Sequence, residues 1–137
     1  MRIKVAVALI FDKQQRLLIT RRPWTTSYGG YWEFPGGKLE KNEDPKMALF
    51  REVQEEIGLI VKACEHLGDV LHDYPDKQVH LIVFAVHHFI GEPMCRESQL
   101  DMRWINLDEL VDYQFPEANL EIMKLIRGTK YLTIWYN

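Results

Sequence analysis

Four glutamates at fixed offsets constrain this chain more than any other feature. Glu52, Glu55 and Glu56 lie in the segment GKLEKNEDPKMALFREVQEEIGL, residues 37–59, with Glu43 just upstream of them. A helix advances about 100° per residue, so positions i, i+3 and i+4 share one face. Three carboxylates on one face repel one another, and a bare solvated helix has little reason to prefer that arrangement. A bound divalent cation reverses the sign of that cost. Hard ions such as Mg²⁺ and Mn²⁺ take oxygen ligands, and Mg²⁺ usually shares a few carboxylates with substrate phosphates and water.

The same segment carries its own punctuation. Asp44 suits the N-cap, and Pro45 suits the first helical position, where no N–H is needed. Gly58 stands where a left-handed C-terminal cap belongs. Phe50, Val53 and Ile57 are spaced to bury the opposite side of the helix. Upstream, Gly36 and Gly37 allow a tight turn whose backbone can approach an ion or phosphate closely. The order predicted is a strand over Tyr31 to Phe34, a glycine loop, then a helix with one acidic and one apolar face.

Gly37, five residues, Glu43, seven residues, Arg51-Glu52-Val53, one residue, Glu55-Glu56, one residue, Gly58-Leu59 matches the Nudix box at all nine defined positions. The resemblance implies a metal-dependent pyrophosphohydrolase acting on nucleoside diphosphates linked to another moiety. It also implies an α/β Nudix fold, a mixed β-sheet sandwiched between α-helices.

The rest of the chain is consistent with one such domain over residues 1–137. That length supports a single core, and 47% hydrophobic with 27% charged residues is ordinary for a globular protein. The net charge of −3, without a basic run, argues against a nucleic-acid polymer as partner. Cys64 and Cys95 are isolated, which argues against a zinc or redox motif and for two thiols in a reducing compartment. The N-terminus shows no signal peptide, because Asp12 and Lys13 end the apolar run early, so a cytoplasmic location is expected.

Ile3 to Phe11 reads as a buried strand, Asp12 to Gln15 as a turn, and Arg16 to Thr20 as the returning strand. Further strands are expected over Val61 to Asp73, Gln78 to Phe89 and Met102 to Ile105. A helical turn is expected at Leu107 to Val111, and a helix over Glu117 to Ile126 with Leu120, Ile122, Met123 and Ile126 at helical spacing.

Beyond the box, the chain resembles the MutT-like branch, whose members remove oxidised guanine nucleotides. The similar stretches are Arg21-Arg22 through Glu33-Phe34-Pro35-Gly36-Gly37-Lys38, Tyr74-Pro75-Asp76, Gly91-Glu92-Pro93 with Glu97, and Phe115-Pro116-Glu117-Ala118-Asn119. By this resemblance Glu97 joins the box carboxylates at the metal, Asn119 contacts the base, Phe34 lines the base pocket, and Arg22 lies near the phosphates. Lys77 departs from the branch, which carries arginine there, and an ammonium lacks the planar fork of a guanidinium.

The metal ligands assigned are Glu52, Glu55 and Glu56, joined by Glu97 and the Gly37 carbonyl, with Arg51 orienting Glu43 or a box glutamate. Glu52, Glu55 and Glu97 are alternatives for the general base. Each substrate residue has a plainer alternative. Asn119 can cap the helix after Pro116, Phe34 can fill the core, Lys38 can offset phosphate charge or be an ordinary loop lysine, and Arg22 and Glu97 can be solvated. Asp76 can be a turn residue or assist in the base pocket. The amide of Asn119 offers one acceptor and one donor, which suit N7–H and O6 of 8-oxoguanine and leave an unpaired contact with guanine.

The expected activity is therefore Mg²⁺-dependent hydrolysis of 8-oxo-dGTP to 8-oxo-dGMP and pyrophosphate, with Mn²⁺ as a possible substitute. A CTP or 5-substituted-dCTP pyrophosphohydrolase, or a nucleotide-binding module without catalysis, is the alternative. The expected partner is a small nucleoside triphosphate, with no membrane, for a monomer or weak homodimer. The aromatic tail Lys130 to Asn137 alternates weakly, as an edge strand or self-association surface would.

Overall fold

The computed structural model describes residues 2–127; the tail just discussed lies outside them. Strand β1 (Arg2–Ile10) runs through the middle of the molecule, parallel to β6 (Lys77–Ile90), in register from Arg2 opposite Gln78 to Ile10 opposite Val86. β5 (Ile60–Tyr74) turns back into β6 through Pro75 and Asp76, with Tyr74 opposite Lys77. β4 (Gly36–Lys38) pairs antiparallel along the other side of β1, so the large sheet has the order β4-β1-β6-β5. β3 (Trp32–Glu33), β2 (Leu17–Arg21) and β7 (Asp101–Ile105) form a second sheet in the order β3-β2-β7.

β1 reads as an unbroken apolar run because both of its faces are covered. Ala6, Ala8 and Ile10 face one core, which they share with Leu49, Val53 and Ile57 of α1 (Pro45–Ile57). Val7 and Leu9 face the other, which they share with Ala118, Ile122 and Ile126 of α2 (Glu117–Arg127). The expected α/β/α layering is thus present, with a mixed sheet in the middle. Among the described residues no helix is long and apolar enough to cross a membrane.

Local details of α1 follow the sequence closely. Asp44 accepts a hydrogen bond from the Met47 N–H at 3.1 Å, and Pro45 opens the first turn. Gly58 ends the helix at φ 76°, its N–H donating to the Gln54 carbonyl at 3.0 Å, a left-handed cap that favours glycine.

Five expectations need correction. The glycine loop expected at Gly36 and Gly37 is strand β4, its backbone paired with Val5 to Val7 of β1. The strand after the Asp12–Gln15 turn does not pair along β1 beyond a single bridge, Phe11 to Leu17. Pro35 and β4 already take the hydrogen bonds on that side of β1, so the chain is diverted into the second sheet. The strand expected over Tyr31 to Phe34 is confined to Trp32–Glu33. In α1, Phe50 is only partly buried, and Ala48 and Leu49 fill that part of the face. In α2, Leu120 is 48% exposed, because it points about 200° away from Ala118 on the wheel and the buried stripe is Ala118, Ile122 and Ile126.

Leu49→Ala, at a position 0% exposed, is expected to cost about 2–5 kcal/mol of stability in urea unfolding. Leu120→Ala should change it by no more than about 0.5 kcal/mol. A large loss at Leu120 would contradict the face assigned to α2.

Candidate active site

The acidic face of α1 lies against β4. Gly37 is paired with Ala6, and a Cβ at Gly37 would overlap the Glu52 carboxylate, so only glycine leaves room for that side chain. The Gly36 N–H donates to Glu56 Oε2 at 3.2 Å. After β6 the chain comes back to the end of α1. There the Met94 N–H donates to the Ile57 carbonyl and the Arg96 N–H to the Glu56 carbonyl, both at 3.0 Å. This return brings Glu97 to the helix. One carboxylate oxygen from each of Glu52, Glu56 and Glu97 lies within 4.8 Å of the other two.

Glu55 is not in that group. Its side chain is 52% exposed and turns to Arg51 Nη1 at 3.2 Å. Arg51 otherwise holds Glu43 in a two-pronged contact, Nε to Oε2 at 2.8 Å and Nη2 to Oε1 at 2.9 Å. It also donates to Glu52 Oε1 at 2.8 Å and to the Lys38 carbonyl at 3.2 Å. The orienting role expected for Arg51 therefore reaches both Glu43 and a box glutamate, through charge-assisted bonds of fixed geometry.

Ionisation at the centre follows from these contacts. The Arg51 hydrogen bonds, helped by the Glu40 N–H, hold the Glu43 carboxyl at about 2. Burial pushes Glu52 up, against the opposing pull of Arg51. Burial pushes Glu56 well above the ordinary carboxylate range, and the charges of Glu33, Glu52 and Glu97 add to the shift despite the Gly36 N–H. Oxygen donors that crowd together and resist ionisation suit a hard divalent cation, whose charge would offset both effects.

Beside the cluster opens a cavity of about 460 Å³. Its floor is Val5, Val7, Val79 and Leu81 of β1 and β6, and Gly36 borders both it and the carboxylates. Arg22, Phe34, Asp76 and Asn119 all line it, although they come from four separate segments. Arg22 reaches it while donating to Glu33 Oε1 and to the Ser27 carbonyl, each at 2.8 Å. Phe34 is 4% exposed and stacks on Phe115 at 5.2 Å, so it is a core residue that also forms part of the wall. Asp76 sits in the β5–β6 turn.

Asn119 lies inside the first turn of α2, its N–H donating to the Pro116 carbonyl at 3.0 Å, and its amide has no hydrogen bond to a described residue. Lys38 is not on the cavity wall; its backbone serves Arg51 instead.

Glu33, Tyr28 and Tyr74 have no role assigned from sequence, and Lys77 stands beside them. Glu33 anchors Arg22, and burial raises its carboxyl above the ordinary value in spite of that arginine. Tyr28 and Tyr74 face each other at the mouth with ring centroids 6.3 Å apart, and the Ala118 N–H donates to the Tyr74 hydroxyl at 3.4 Å. Lys77 places Nζ 5.8 Å from the Tyr74 ring centre. The signal available for Glu33 was its place in the stretch Glu33-Phe34-Pro35-Gly36-Gly37-Lys38 that resembles the branch.

Arg51→Met should let Glu43 return from about 2 toward its ordinary 4.5, read by NMR titration of the carboxyl carbon. The depressed value contributes stability that is present above pH 4.5 and lost as pH falls through about 2. Wild-type stability in urea should therefore fall across that window by more than that of the variant.

A NUDIX domain model matches residues 6–125. The 8-oxo-dGTP diphosphatase of Proteus vulgaris is 46% identical over 91 residues, 66% of this chain and 81% of that protein. The CTP pyrophosphohydrolase of Escherichia coli is 28% identical over 124 residues, 90% of this chain and 91% of that one. A structure from work on MutT of Aliivibrio salmonicida and Vibrio cholerae aligns with a TM-score of 0.78 at 35% identity, covering 94% of this chain and all of that one. The chain belongs to the Nudix hydrolase family, in its MutT-like branch.

Proposed function

We propose that this Nudix hydrolase converts 8-oxo-dGTP to 8-oxo-dGMP and pyrophosphate with Mg²⁺, and that Mn²⁺ can replace it. The observation that carries the reading is the shared border: the Glu52–Glu56–Glu97 cluster and the cavity lined by Asn119 meet at Gly36. A triphosphate laid across that border has its phosphates at the carboxylates and its base in the cavity. The similarity to a relative named 8-oxo-dGTP diphosphatase supports the choice of base.

Glu52, Glu56 and Glu97 would hold the cation, with the Gly37 carbonyl as an additional ligand and Glu55 joining them on release from Arg51. When bound, such an ion lowers the pKa of water and offsets charge on the phosphates. The oxygen of a water molecule bonds to the β-phosphorus as the bond from that phosphorus to the α–β bridging oxygen breaks. The proton passes to one of Glu52, Glu55 and Glu97, and the nucleoside monophosphate leaves. Arg51 keeps Glu52 in place, and Glu33 presents Arg22 to the phosphates. Phe34 and Asp76 bound the base, and Asn119 donates to its O6 and accepts from its N7–H.

The enzyme would act in the cytoplasm on the nucleotide pool, removing an oxidised precursor before replication uses it, as a monomer or weak homodimer. One observation favours a pyrimidine substrate instead: Lys77, where the branch has arginine, lies on the cavity wall, and a CTP pyrophosphohydrolase is similar over 90% of this chain.

Pyrophosphate release with 8-oxo-dGTP, dGTP, CTP and 5-methyl-dCTP decides between them. We expect kcat/KM for 8-oxo-dGTP about 100-fold or more above the others, equivalent to ~3 kcal/mol; a pyrimidine in first place would refute the purine pocket. Glu52→Gln and Glu56→Gln should each lower kcat by orders of magnitude, and Asn119→Ala should erode the preference for the oxidised base more than it slows dGTP. Equal losses on both nucleotides would remove Asn119 from base recognition.

A further inference from the structure

Glu97 sits on an exposed loop, yet its carboxylate meets two others carried by a rigid helix. What holds it there is visible in the backbone. The last carbonyls of a helix have no partner within it, and in α1 the loop after β6 supplies them. The Ile57 carbonyl accepts from the Met94 N–H, and the Glu56 carbonyl accepts twice, from the Arg96 N–H at 3.0 Å and from Gln99 Nε2 at 2.9 Å. The other end of the Gln99 amide, Oε1, accepts from the Glu97 N–H at 2.8 Å.

One side-chain amide thus joins the backbones of two members of the carboxylate cluster. Its orientation is fixed by chemistry, because a carbonyl can only accept and a backbone N–H can only donate. Between Glu97 and Gln99 lies Ser98 at φ 64°, in the left-handed region that non-glycine residues adopt uncommonly. The backbone there makes the tight reversal that lets Gln99 reach back to the Glu97 N–H.

We infer that Gln99 is the positioning residue that sets Glu97 in the metal site, acting through its two-ended bridge between the Glu56 carbonyl and the Glu97 N–H. This rests on the metal-dependent reading above. Gln99 touches neither cation nor substrate in this role, and groups of this kind typically change metal affinity about 10–100-fold when removed.

The test uses the whole protein without nucleotide and Mn²⁺ alone as probe, with unbound Mn²⁺ followed by electron paramagnetic resonance. Gln99→Met keeps length and bulk and removes both hydrogen bonds; Gln99→Ala is measured beside it, and urea unfolding verifies that each variant is folded. We expect either variant to weaken Mn²⁺ binding about 10-fold or more, and Gln99→Met to add less than about twofold once Glu97→Gln is present, since the two act through one ligand.

Mn²⁺ binding within about twofold of wild type in folded Gln99 variants would overturn the inference. So would an undiminished effect in the Glu97→Gln background. If Glu52→Gln, Glu56→Gln and Glu97→Gln all bind Mn²⁺ like wild type, the metal-site reading itself fails and takes the role of Gln99 with it. Weakening by Glu97→Gln without weakening by Gln99→Met would sink the bridge alone.

Discussion

Leu49, Val53 and Ile57 press α1 onto Ala6, Ala8 and Ile10 of β1, and this apolar contact positions the glutamates that α1 carries to the centre. Alanines at two of the three β1 positions let the helix lie close to the sheet. With the apolar side committed, the opposite side has one place to go, over Gly36 and Gly37 of β4. Burying side chains of this size is worth roughly 1.5–3 kcal/mol each, enough in sum to hold carboxylates at separations they would avoid in water. The core beneath α1 therefore sets the ligand geometry, and the acidic face is a consequence of the packing on its far side.

Two arginines manage the negative charge that this packing concentrates. Arg51 gives its fork to Glu43 and its remaining donors to Glu52, Glu55 and the Lys38 carbonyl. Arg22 pairs with Glu33 on the cavity side. Neither arginine bonds Glu56, and burial pushes that carboxyl well above the ordinary carboxylate range. The carboxylates left without an arginine thus lie where the helix, β4 and the returning loop converge. A cation placed there would complete a balance that the side chains leave open.

Much of this was legible because it is local in the chain. The caps of α1 and its acidic face lie within residues 44–58, and helical periodicity connects them without knowledge of the rest; the glycine pair, expected as a loop, is a strand because β1 is there to pair with it. The strands were visible as β-branched apolar runs. What could not be read depends on non-local competition. Arg16 to Thr20 looks like a partner for β1 until one knows that β4 and Pro35 hold that edge. Leu120 is apolar and correctly spaced from Met123, but the wheel is phased by Ala118, a small residue with little hydrophobic signal. Glu55 shares the spacing of its neighbours, yet Arg51 one turn earlier draws it aside. Glu33, Tyr28 and Tyr74 meet at the cavity only through tertiary folding.

Among the described residues β5 is the outermost strand of the large sheet, 15 residues long, with its register against β6 shifting at Val61/Ala63, Ala63/Glu65 and His66/Gly68. A regular edge of that length would present a row of unpaired N–H and C=O groups to any other extended chain, the template from which intermolecular sheets grow. Each shift bends the strand and increases its local twist. Lys62, Glu65, Asp69 and Asp73 place charge at intervals along it. Shifts and charges of this kind make an exposed edge a poor template for pairing with a second copy of the chain.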